Sequence, residues 1–323
     1  MQPNPLKTFF SVLFGGLIVM FACIGTFNVG IFVWRTFGQA GHLKNLQVAQ
    51  TADAADTSAI LGMRVSAPRY SAIDEEDMIN AAANALPRGQ VEHVTAKAYL
   101  VKDLTTGQVI VGNNVDQLLP IASLSKLVTA VIARSNIPDS ARISITKSVT
   151  STYGNTADFV PGETFTAGDL MYPLLMVSSN DAAEAYAQYY GRAKFIRAMN
   201  DFVQSIGAYR TSFSDPSGLD PKNVSTVNDM AIIMNWIYKN DPTIVSITEL
   251  KAKTIRSHTW VNPTHFLSWS YYVGGKNGYL PEANRTNVSL FKWGNKADIY
   301  AVVVLGSSQR DADTVALLKK VQP

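Results

Sequence analysis

Serine and lysine occur three residues apart at three places in this chain, Ser123/Lys126, Ser144/Lys147 and Ser289/Lys292. A lysine amine can activate a serine hydroxyl when it lies beside the hydroxyl and is kept partly neutral by burial or by a second cation. On a helix this spacing puts both side chains on one face, one turn apart. In a strand, residues three apart point to opposite faces, so the local secondary structure decides which pair can cooperate.

Only the first pair lies in a predicted helix. The segments 143–147 and 288–292 have strand-like sequences, whereas Ser123–Arg134 is predicted as a helix that is apolar on nearly every side and therefore deeply buried. Ser123 would open this helix, where unpaired backbone N–H groups and the helix dipole favour an alkoxide, and Lys126 would enter a dry interior. On this motif alone, an ordinary N-cap explains Ser123 equally well.

Two further segments carry polar groups that could face a cleft. Ser178 and Asn180 form a Ser-x-Asn in the turn between the predicted helices Ala167–Met176 and Asp181–Ile206, although Ser and Asn are also the usual residues of a capping turn. The segment Gly274–Gly278, Gly-Gly-Lys-Asn-Gly, is predicted to close the aromatic strand Trp269–Val273, and its glycines permit close approach of a ligand.

The motifs of several other enzyme classes are absent. The sequence contains no His-Glu-x-x-His, no Gly-x-Ser-x-Gly, no phosphate-binding loop and no dinucleotide fingerprint, and its four histidines are isolated. A net charge of +3 without a basic stripe gives no support for nucleic-acid binding. The single cysteine, Cys23, lies in an apolar segment, so cysteine-ligated zinc and disulfides are excluded from the rest of the chain.

That apolar segment, Thr8–Trp34, has no charged residue and is bracketed by Lys7 and Arg35. At about 1.5 Å per residue, a helix of this length reaches roughly 40 Å and spans a bilayer with some tilt. The run continues far beyond a signal-peptide core, and bulky Phe21, two residues before Cys23, disfavours lipidation. A retained anchor is therefore favoured over a cleaved signal peptide or a lipoprotein signal.

The remaining chain is predicted to form an α+β domain. The runs Ala96–Asp103 and Gln108–Val111 are predicted to form a hairpin. Three β-rich runs, the first of them Trp269–Val273, and a helix end the chain, with helices between. The predicted organisation is a cytoplasmic tip and transmembrane anchor at 1–37, a flexible spacer at 38–70, a short helix at 71–86 and the main domain at 87–323. The other predicted elements are Val227–Tyr238, Thr286–Trp293, Ile299–Leu305 and Ala312–Val321.

The order and spacing of Ser123-x-x-Lys126, Ser178-x-Asn180 and Lys276-Asn277-Gly278 resemble the Ser-x-x-Lys, Ser-x-Asn and Lys-Thr-Gly motifs of penicillin-binding proteins. The chain most resembles the D-alanyl-D-alanine carboxypeptidase family of low-molecular-weight penicillin-binding proteins, over roughly residues 87–323. Segments between and after the motifs extend the resemblance: Pro161–Glu163, Gly218–Leu219, Asp229–Ala231 and Ala301–Gly306. It implies a β-lactamase/penicillin-binding-protein-like transpeptidase fold, with an antiparallel sheet completed by N- and C-terminal strands and a helical subdomain.

The resemblance also implies roles for the site residues. Ser123 would attack the carbonyl between the two D-alanines of a peptidoglycan stem peptide, with Lys126 as proton acceptor and Ser178 as relay to the leaving amine. Asn180 would hold the substrate backbone or Lys126. Lys276 would lower the pKa of Lys126 and draw the terminal carboxylate. Four residues are assigned to substrate binding, with the N–H of the last joining that of Ser123 as the oxyanion site: Lys276, Asn277, Gly278 and Tyr279.

The same resemblance leaves alternatives open. The family usually has Thr or Ser at the position of Asn277, so the chain could be a non-catalytic muropeptide- or penicillin-binding protein instead of a carboxypeptidase. A D,D-endopeptidase shares all three motifs, and a β-lactamase is disfavoured because Phe213–Asn223 contains no convincing deacylating glutamate. β-Lactam antibiotics would be acylating inhibitors, and no metal or cofactor is needed. Peptidoglycan as substrate would put residues 1–7 inside the cell and the domain outside, on a single-pass membrane anchor.

Overall fold

The computed structural model describes residues 64–66, 93–154, 156–293 and 298–321. The predicted anchor Thr8–Trp34 and the predicted helix at 71–86 lie outside the described residues. Within the described part of the chain, no helix combines the length and the apolar character needed to cross a bilayer.

The centre of the fold is a five-stranded antiparallel sheet, in which the strands are arranged in the order Tyr272–Leu280, Asn284–Trp293, Asp298–Ser307, Ala98–Asp103 and Val109–Asn113. Two strands from the beginning of the domain thus complete a sheet whose other three strands come from its end, as the sequence predicts. The five strands are β2 (Ala98–Asp103), β3 (Val109–Asn113), β10 (Tyr272–Leu280), β11 (Asn284–Trp293) and β12 (Asp298–Ser307).

The helices lie between the two groups of strands, except for a last helix at the C-terminal end. The helices are α1 (Ser125–Asn136), α2 (Lys147–Thr150), α3 (Ala167–Met176), α4 (Asn180–Tyr190), α5 (Arg192–Ser205), α6 (Val227–Asn240), α7 (Pro242–Thr248) and α8 (Arg310–Leu318). Short strands connect them in three small sheets: β1 (Arg64–Ser66), β4 (Leu119–Pro120), β5 (Arg142–Ser144), β6 (Thr164–Thr166), β7 (Val224–Ser225), β8 (Ala252–Ile255) and β9 (His258–Val261).

Both faces of the central sheet are covered. Ala301, Val303 and Leu305 of β12 join the large core beneath the helices, whereas Val302 and Val304 join a smaller core that includes Leu317 of α8. A strand buried on both faces needs apolar residues at successive positions, which explains the unbroken apolar run of β12. The α+β architecture predicted from the sequence is confirmed.

One predicted helix is divided in two. The chain predicted as the helix Asp181–Ile206 forms α4 and α5, which are separated by Gly191. Gly191 has φ +96°, a left-handed conformation that glycine adopts readily and that ends a helix.

The glycine-rich segment of the third motif lies inside a strand. Gly274–Gly278 was expected to close the strand Trp269–Val273, but β10 begins at Tyr272 and continues through all three motif residues to Leu280. Trp269 instead follows a 3₁₀ turn, His265–Ser268. Hydrogen bonds to β11 keep the glycine-rich segment extended despite the low strand propensity of glycine.

Three smaller differences concern the remaining predictions. The segment 38–70, predicted as a flexible spacer, contains β1, which pairs in parallel with β9. Ser144 and Lys147, predicted in one strand, are separated because Thr146 caps a new helix by accepting a hydrogen bond from Val149 N. Helix α7 and the hairpin β8–β9 were not predicted. Ser289 and Lys292 do share β11, where Ser289 is buried and Lys292 is exposed, as expected of residues three apart in a strand.

Candidate active site

Ser123 lies in a 3₁₀ turn, Ala122–Leu124, that leads directly into α1. Thr286 of β11 fixes this turn to the sheet by donating a hydrogen bond from Oγ1 to the carbonyl of Ile121 at 3.1 Å. Ala122 has φ +48°, a conformation that costs energy for a residue with a side chain and must be held by its surroundings. The nucleophile candidate is therefore presented on a fixed, strained turn at the start of a buried helix, with its own side chain partly exposed.

The amine of Lys126 makes three hydrogen bonds in a fully buried pocket. Its Nζ lies 2.9 Å from Ser123 Oγ, 2.7 Å from Asn180 Oδ1 and 2.6 Å from the carbonyl oxygen of Ser217. The helical spacing predicted to bring Ser123 and Lys126 together does so, and the second motif reaches the same amine through Asn180.

These three partners determine where a neutral amine directs its lone pair. The orientation of Asn180 is set because its Nδ2 donates to the carbonyl oxygen of Tyr153 at 2.7 Å, which leaves Oδ1 facing Lys126. Asn180 Oδ1 and the Ser217 carbonyl can only accept hydrogen bonds. A neutral Lys126 therefore spends both of its N–H groups on them and presents its lone pair to the hydroxyl proton of Ser123. The arrangement is that of a nucleophile and its general base.

Burial adjusts the pKa of the base to the physiological range. Desolvation lowers the pKa of Lys126 to about 7, and the Asp215 carboxylate partly opposes this by raising it. Asp215 is held in its loop by accepting hydrogen bonds from three backbone N–H groups, those of Ser217, Gly218 and Asp220. Near pH 7 a large fraction of Lys126 is thus neutral and able to take a proton.

The second motif forms a strained turn between α3 and α4. Ser178 has φ +59°, and its Oγ is buried without a hydrogen-bond partner. Its neighbour Ser179 is instead the N-cap of α4, where Oγ accepts a hydrogen bond from Ala182 N at 3.0 Å. The two serines therefore have separate roles: Ser179 satisfies the end of the helix, and Ser178 keeps a free hydroxyl at the edge of the site.

The third motif brings β10 against the backbone of the nucleophile. A side chain at Gly278 would place its Cβ 2.7 Å from Ser123 N and 2.8 Å from Thr286 Oγ1, so only glycine fits. Lys276, two residues earlier, is only 5% exposed, and its Nζ donates to the carbonyl oxygen of Asn277 at 2.8 Å.

Lys276 is the second buried amine of the site. Burial lowers its pKa well below the usual value, and the positive charges of Lys126 and Arg310 lower it further. The two amines lie close enough for their charges to repel each other, since the charge of Lys126 acts on Lys276. Desolvation lowers the pKa of Lys126, and a further lowering by Lys276 stays a prediction.

Asn277 and Tyr279 complete the third motif. Asn277 is partly buried, pairs with Asn287 across the strands, and lines a small cavity together with Lys276 and Arg310. Tyr279 is 55% exposed. Three parts of the chain thus meet at the start of α1: Lys126 contacts Ser123 and Asn180, and Gly278 lies against Ser123 N. Ser178, Asn277 and Tyr279 are neighbours in sequence of these residues, and their roles stay predictions.

Three groups at the site were missed by the sequence analysis. The carbonyls of Ser217 and Tyr153 have no signal in the sequence, because every residue has a carbonyl. The turn Asp215-Pro-Ser-Gly218 is typical of an Asx turn and could have predicted a fixed loop, but its distance from Lys126 along the chain hid its role.

The fold and this site define a class of protein in which a serine hydroxyl lies within hydrogen-bond distance of a buried lysine amine. A family model described as D-alanyl-D-alanine carboxypeptidase matches residues 81–308. The chain belongs to this family and is a peptidase.

Individual relatives agree with the family model. The chain is 30% identical over 239 residues to a D-alanyl-D-alanine endopeptidase of Haemophilus influenzae, covering 70% of this chain and 81% of the relative. It is 29% identical over 234 residues to a D-alanyl-D-alanine carboxypeptidase of Mycobacterium tuberculosis, covering 69% and 80%. A crystal structure of a D-alanyl-D-alanine carboxypeptidase from M. tuberculosis superposes with a TM-score of 0.66 at 27% identity, covering 73% of this chain and 94% of the other.

Proposed function

We propose that this protein is a serine D,D-carboxypeptidase that removes the terminal D-alanine from peptidoglycan stem peptides through an acyl-serine intermediate. The observation that carries the proposal is the 2.9 Å hydrogen bond between Lys126 Nζ and Ser123 Oγ, in a pocket that lowers the pKa of the lysine to about 7. The names of the relatives supply the substrate class, since they include both D-alanyl-D-alanine carboxypeptidases and endopeptidases.

In the first half of the reaction, neutral Lys126 takes the hydroxyl proton of Ser123 while Oγ bonds to the carbonyl carbon between the two D-alanines. The negative charge that develops on the carbonyl oxygen is stabilised by the backbone N–H groups of Ser123 and Tyr279. Gly278 lies against Ser123 N, so the backbone of the next residue, Tyr279, is close to the nucleophile. This position supports the assignment.

The tetrahedral intermediate collapses when the leaving nitrogen of the terminal D-alanine receives a proton. Lys126, now an ammonium, supplies that proton, and Ser178 passes it on: its hydroxyl gives one proton to the nitrogen and takes one from the amine. A hydroxyl with no partner of its own is free to do this. Water then attacks the ester carbonyl and gives a proton to Lys126. As the bond to Ser123 Oγ breaks, Lys126 returns the proton to Oγ and the hydroxyl is regenerated.

Recognition of the substrate's carboxylate is assigned to the third motif. Lys276 is buried beside the site, and a bound carboxylate would raise its lowered pKa by pairing with its charged form. Asn277 offers an amide N–H₂ where relatives commonly have a hydroxyl, and an amide can donate the same kind of hydrogen bond with a longer reach.

Labelled penicillin with intact-mass measurement tests the acyl-serine step. Wild-type protein should gain the mass of one penicillin, and Ser123→Ala should gain none. No adduct on folded wild type, or an adduct that persists in Ser123→Ala, would refute the proposal. Ser144→Ala is a matched control, because it removes the serine of an exposed Ser-x-x-Lys pair and should be acylated like wild type.

Two substrates separate carboxypeptidase from endopeptidase activity. A carboxypeptidase releases D-alanine from a pentapeptide, whereas an endopeptidase divides a cross-linked muropeptide dimer into monomers. Acylation by penicillin without turnover of either substrate would favour a binding protein. In that case Asn277→Thr tests the third motif: restored turnover would identify Asn277 as the cause.

We also propose that Thr8–Trp34 anchors the protein in the cytoplasmic membrane with the peptidase domain outside. The support is the uncharged sequence of this segment together with a substrate class that lies outside the membrane. Protease added to intact spheroplasts should digest the domain, and a variant lacking residues 1–37 should leave the membrane fraction. A domain protected until the membrane is permeabilised would contradict the proposed orientation.

A further inference from the structure

Tyr153 combines a fixed backbone close to the catalytic groups with an exposed side chain. Its carbonyl oxygen accepts from Asn180 Nδ2 at 2.7 Å, and Asn180 in turn contacts Lys126. The following residue, Gly154, has φ +82°, and a Cβ there would lie 3.1 Å from the same Nδ2. The loop is thus held tightly against Asn180. The side chain of Tyr153 is nevertheless 83% exposed, so a ligand can reach its ring and its hydroxyl.

A second exposed tyrosine approaches the nucleophile from the sheet. Tyr279 directly follows Gly278, whose Cα lies against Ser123 N, and its side chain is 55% exposed. The guanidinium of Arg285 lies 5.6 Å from the centre of the Tyr279 ring. Two segments that contact the site therefore each carry an exposed tyrosine, one in the helical part of the domain and one, accompanied by a positive charge, in the sheet.

We infer that Tyr153 is a specificity-determining residue that, with Tyr279, binds the part of the stem peptide preceding the two D-alanines. This inference rests on the proposed function. The protein would therefore select long, anionic peptides over the bare D-alanyl-D-alanine end.

The chemistry of the two side chains suits such a segment. A tyrosine ring provides a flat apolar face for amide planes and aliphatic stems, and a hydroxyl for a polar group, at low cost in side-chain entropy. β10 is an edge strand of the central sheet, so an extended peptide can lie along it. Residues that precede the scissile bond would then pass the two rings, and Arg285 would favour a free carboxylate on one of them.

The test compares an N-acylated tripeptide ending in D-Ala-D-Ala, with a carboxylate on its first side chain, with N-acetyl-D-Ala-D-Ala. Tyr153→Ala should lower kcat/KM for the tripeptide about five-fold, the loss of one aromatic contact, and for the dipeptide less than about two-fold. Tyr153→Phe should keep most of the preference, because it retains the ring. Tyr189→Ala is a matched control. Tyr189 is also exposed, and it lies on the helix that begins at Asn180, but about 13 Å along the helix axis from that residue.

Equal losses on both peptides, or none on the tripeptide, would overturn the inference. The same comparison made as dissociation constants in a Ser123→Ala background needs no turnover. If wild type is not acylated by penicillin but Tyr153→Ala still weakens tripeptide binding selectively, the proposed function fails and the recognition role stands. If wild type is acylated and the selectivity is unchanged, the recognition role fails alone.

Discussion

The pocket around Lys126 and the turn Ser178–Asp181 are neighbours joined by Asn180, yet they treat polar atoms in opposite ways. All three bonds available to the Lys126 amine are made. In the turn, Ser178 Oγ and both carboxyl oxygens of Asp181 are buried without partners. Buried polar atoms are normally paired, so unpaired ones need an explanation. The difference indicates that the base is organised before the substrate binds. In the turn, the substrate would supply a partner for Ser178 Oγ, and a bound proton would neutralise the carboxyl of Asp181.

The largest effect is expected in the pocket around Lys126, on the rate of acylation. Lys126→Ala removes the proton acceptor of Ser123 and should slow acylation by labelled penicillin on the order of 10³-fold. Lys147→Ala, at the exposed Ser144/Lys147 pair, should react at the wild-type rate. Circular dichroism should show that Lys126→Ala is folded, since its loss leaves two buried acceptors unpaired. Rapid acylation of folded Lys126→Ala would refute the role of the amine as base.

Asp181 predicts the next effect, on stability. It is fully buried, and desolvation raises the pKa of its carboxyl from 3.8 to about 7. A raised pKa means that the folded state binds more protons than the unfolded state between these values, so stability should fall as pH rises from about 4 to about 7. Asp181→Asn removes this loss and should raise the free energy of unfolding at pH 8 by on the order of 4 kcal/mol relative to wild type.

Denaturant unfolding at pH 4 and pH 8 measures this difference. Asp201→Asn provides the control, because it makes the same substitution at an exposed position. If Asp181→Asn retains the wild-type pH dependence, Asp181 is ionised in the folded protein and must have a partner.

Adjacent serines in the turn allow a finer test. Ser178→Ala removes the unpartnered hydroxyl and should lower turnover by about 10- to 100-fold, because the leaving amine loses its proton relay. Ser179→Ala removes the N-cap of α4 and should lower the free energy of unfolding by about 1 kcal/mol. Steady-state kinetics and denaturant unfolding of both variants distinguish the roles. A Ser179→Ala variant with the greater loss of turnover would reverse the assignment.

The predictable and unpredictable parts of the site differ in the kind of atom involved. Ser123 and Lys126 could be paired from sequence because helical spacing acts over one turn. Their partners Ser217 and Tyr153 contribute backbone carbonyls from distant loops, and no residue type marks a carbonyl. The sequence also cannot predict that the Asp181 carboxyl is buried without a hydrogen-bond partner, because this depends on how completely the packing excludes water from it.

Two differences between the predicted and the observed fold involve glycines. Glycine usually weakens a strand, and the sequence predicts that Gly274–Gly278 closes one. In the structure Gly278 lies inside β10, at a position where no Cβ fits against Ser123 N. Gly191 lies inside a predicted helix, but its φ of +96° separates α4 from α5. The same residue type marks a break in one place and a close approach in the other, and only tertiary contacts distinguish them.

The smallest expected effect concerns the pH at which the base becomes active. Acylation requires neutral Lys126, so its rate should rise with pH and level off above a midpoint near 7, the pKa of that amine. The Asp215 carboxylate raises this pKa by stabilising the ammonium form. Asp215→Asn should therefore move the midpoint to lower pH, by about half a unit. Asn keeps one acceptor oxygen for the loop, and Asp220→Asn, in the same loop, should leave the midpoint unchanged. If the midpoint moves upward in Asp215→Asn, the increase of the acylation rate with pH reports the titration of another group. Lys126, in its fully hydrogen-bonded pocket, would then not be the proton acceptor.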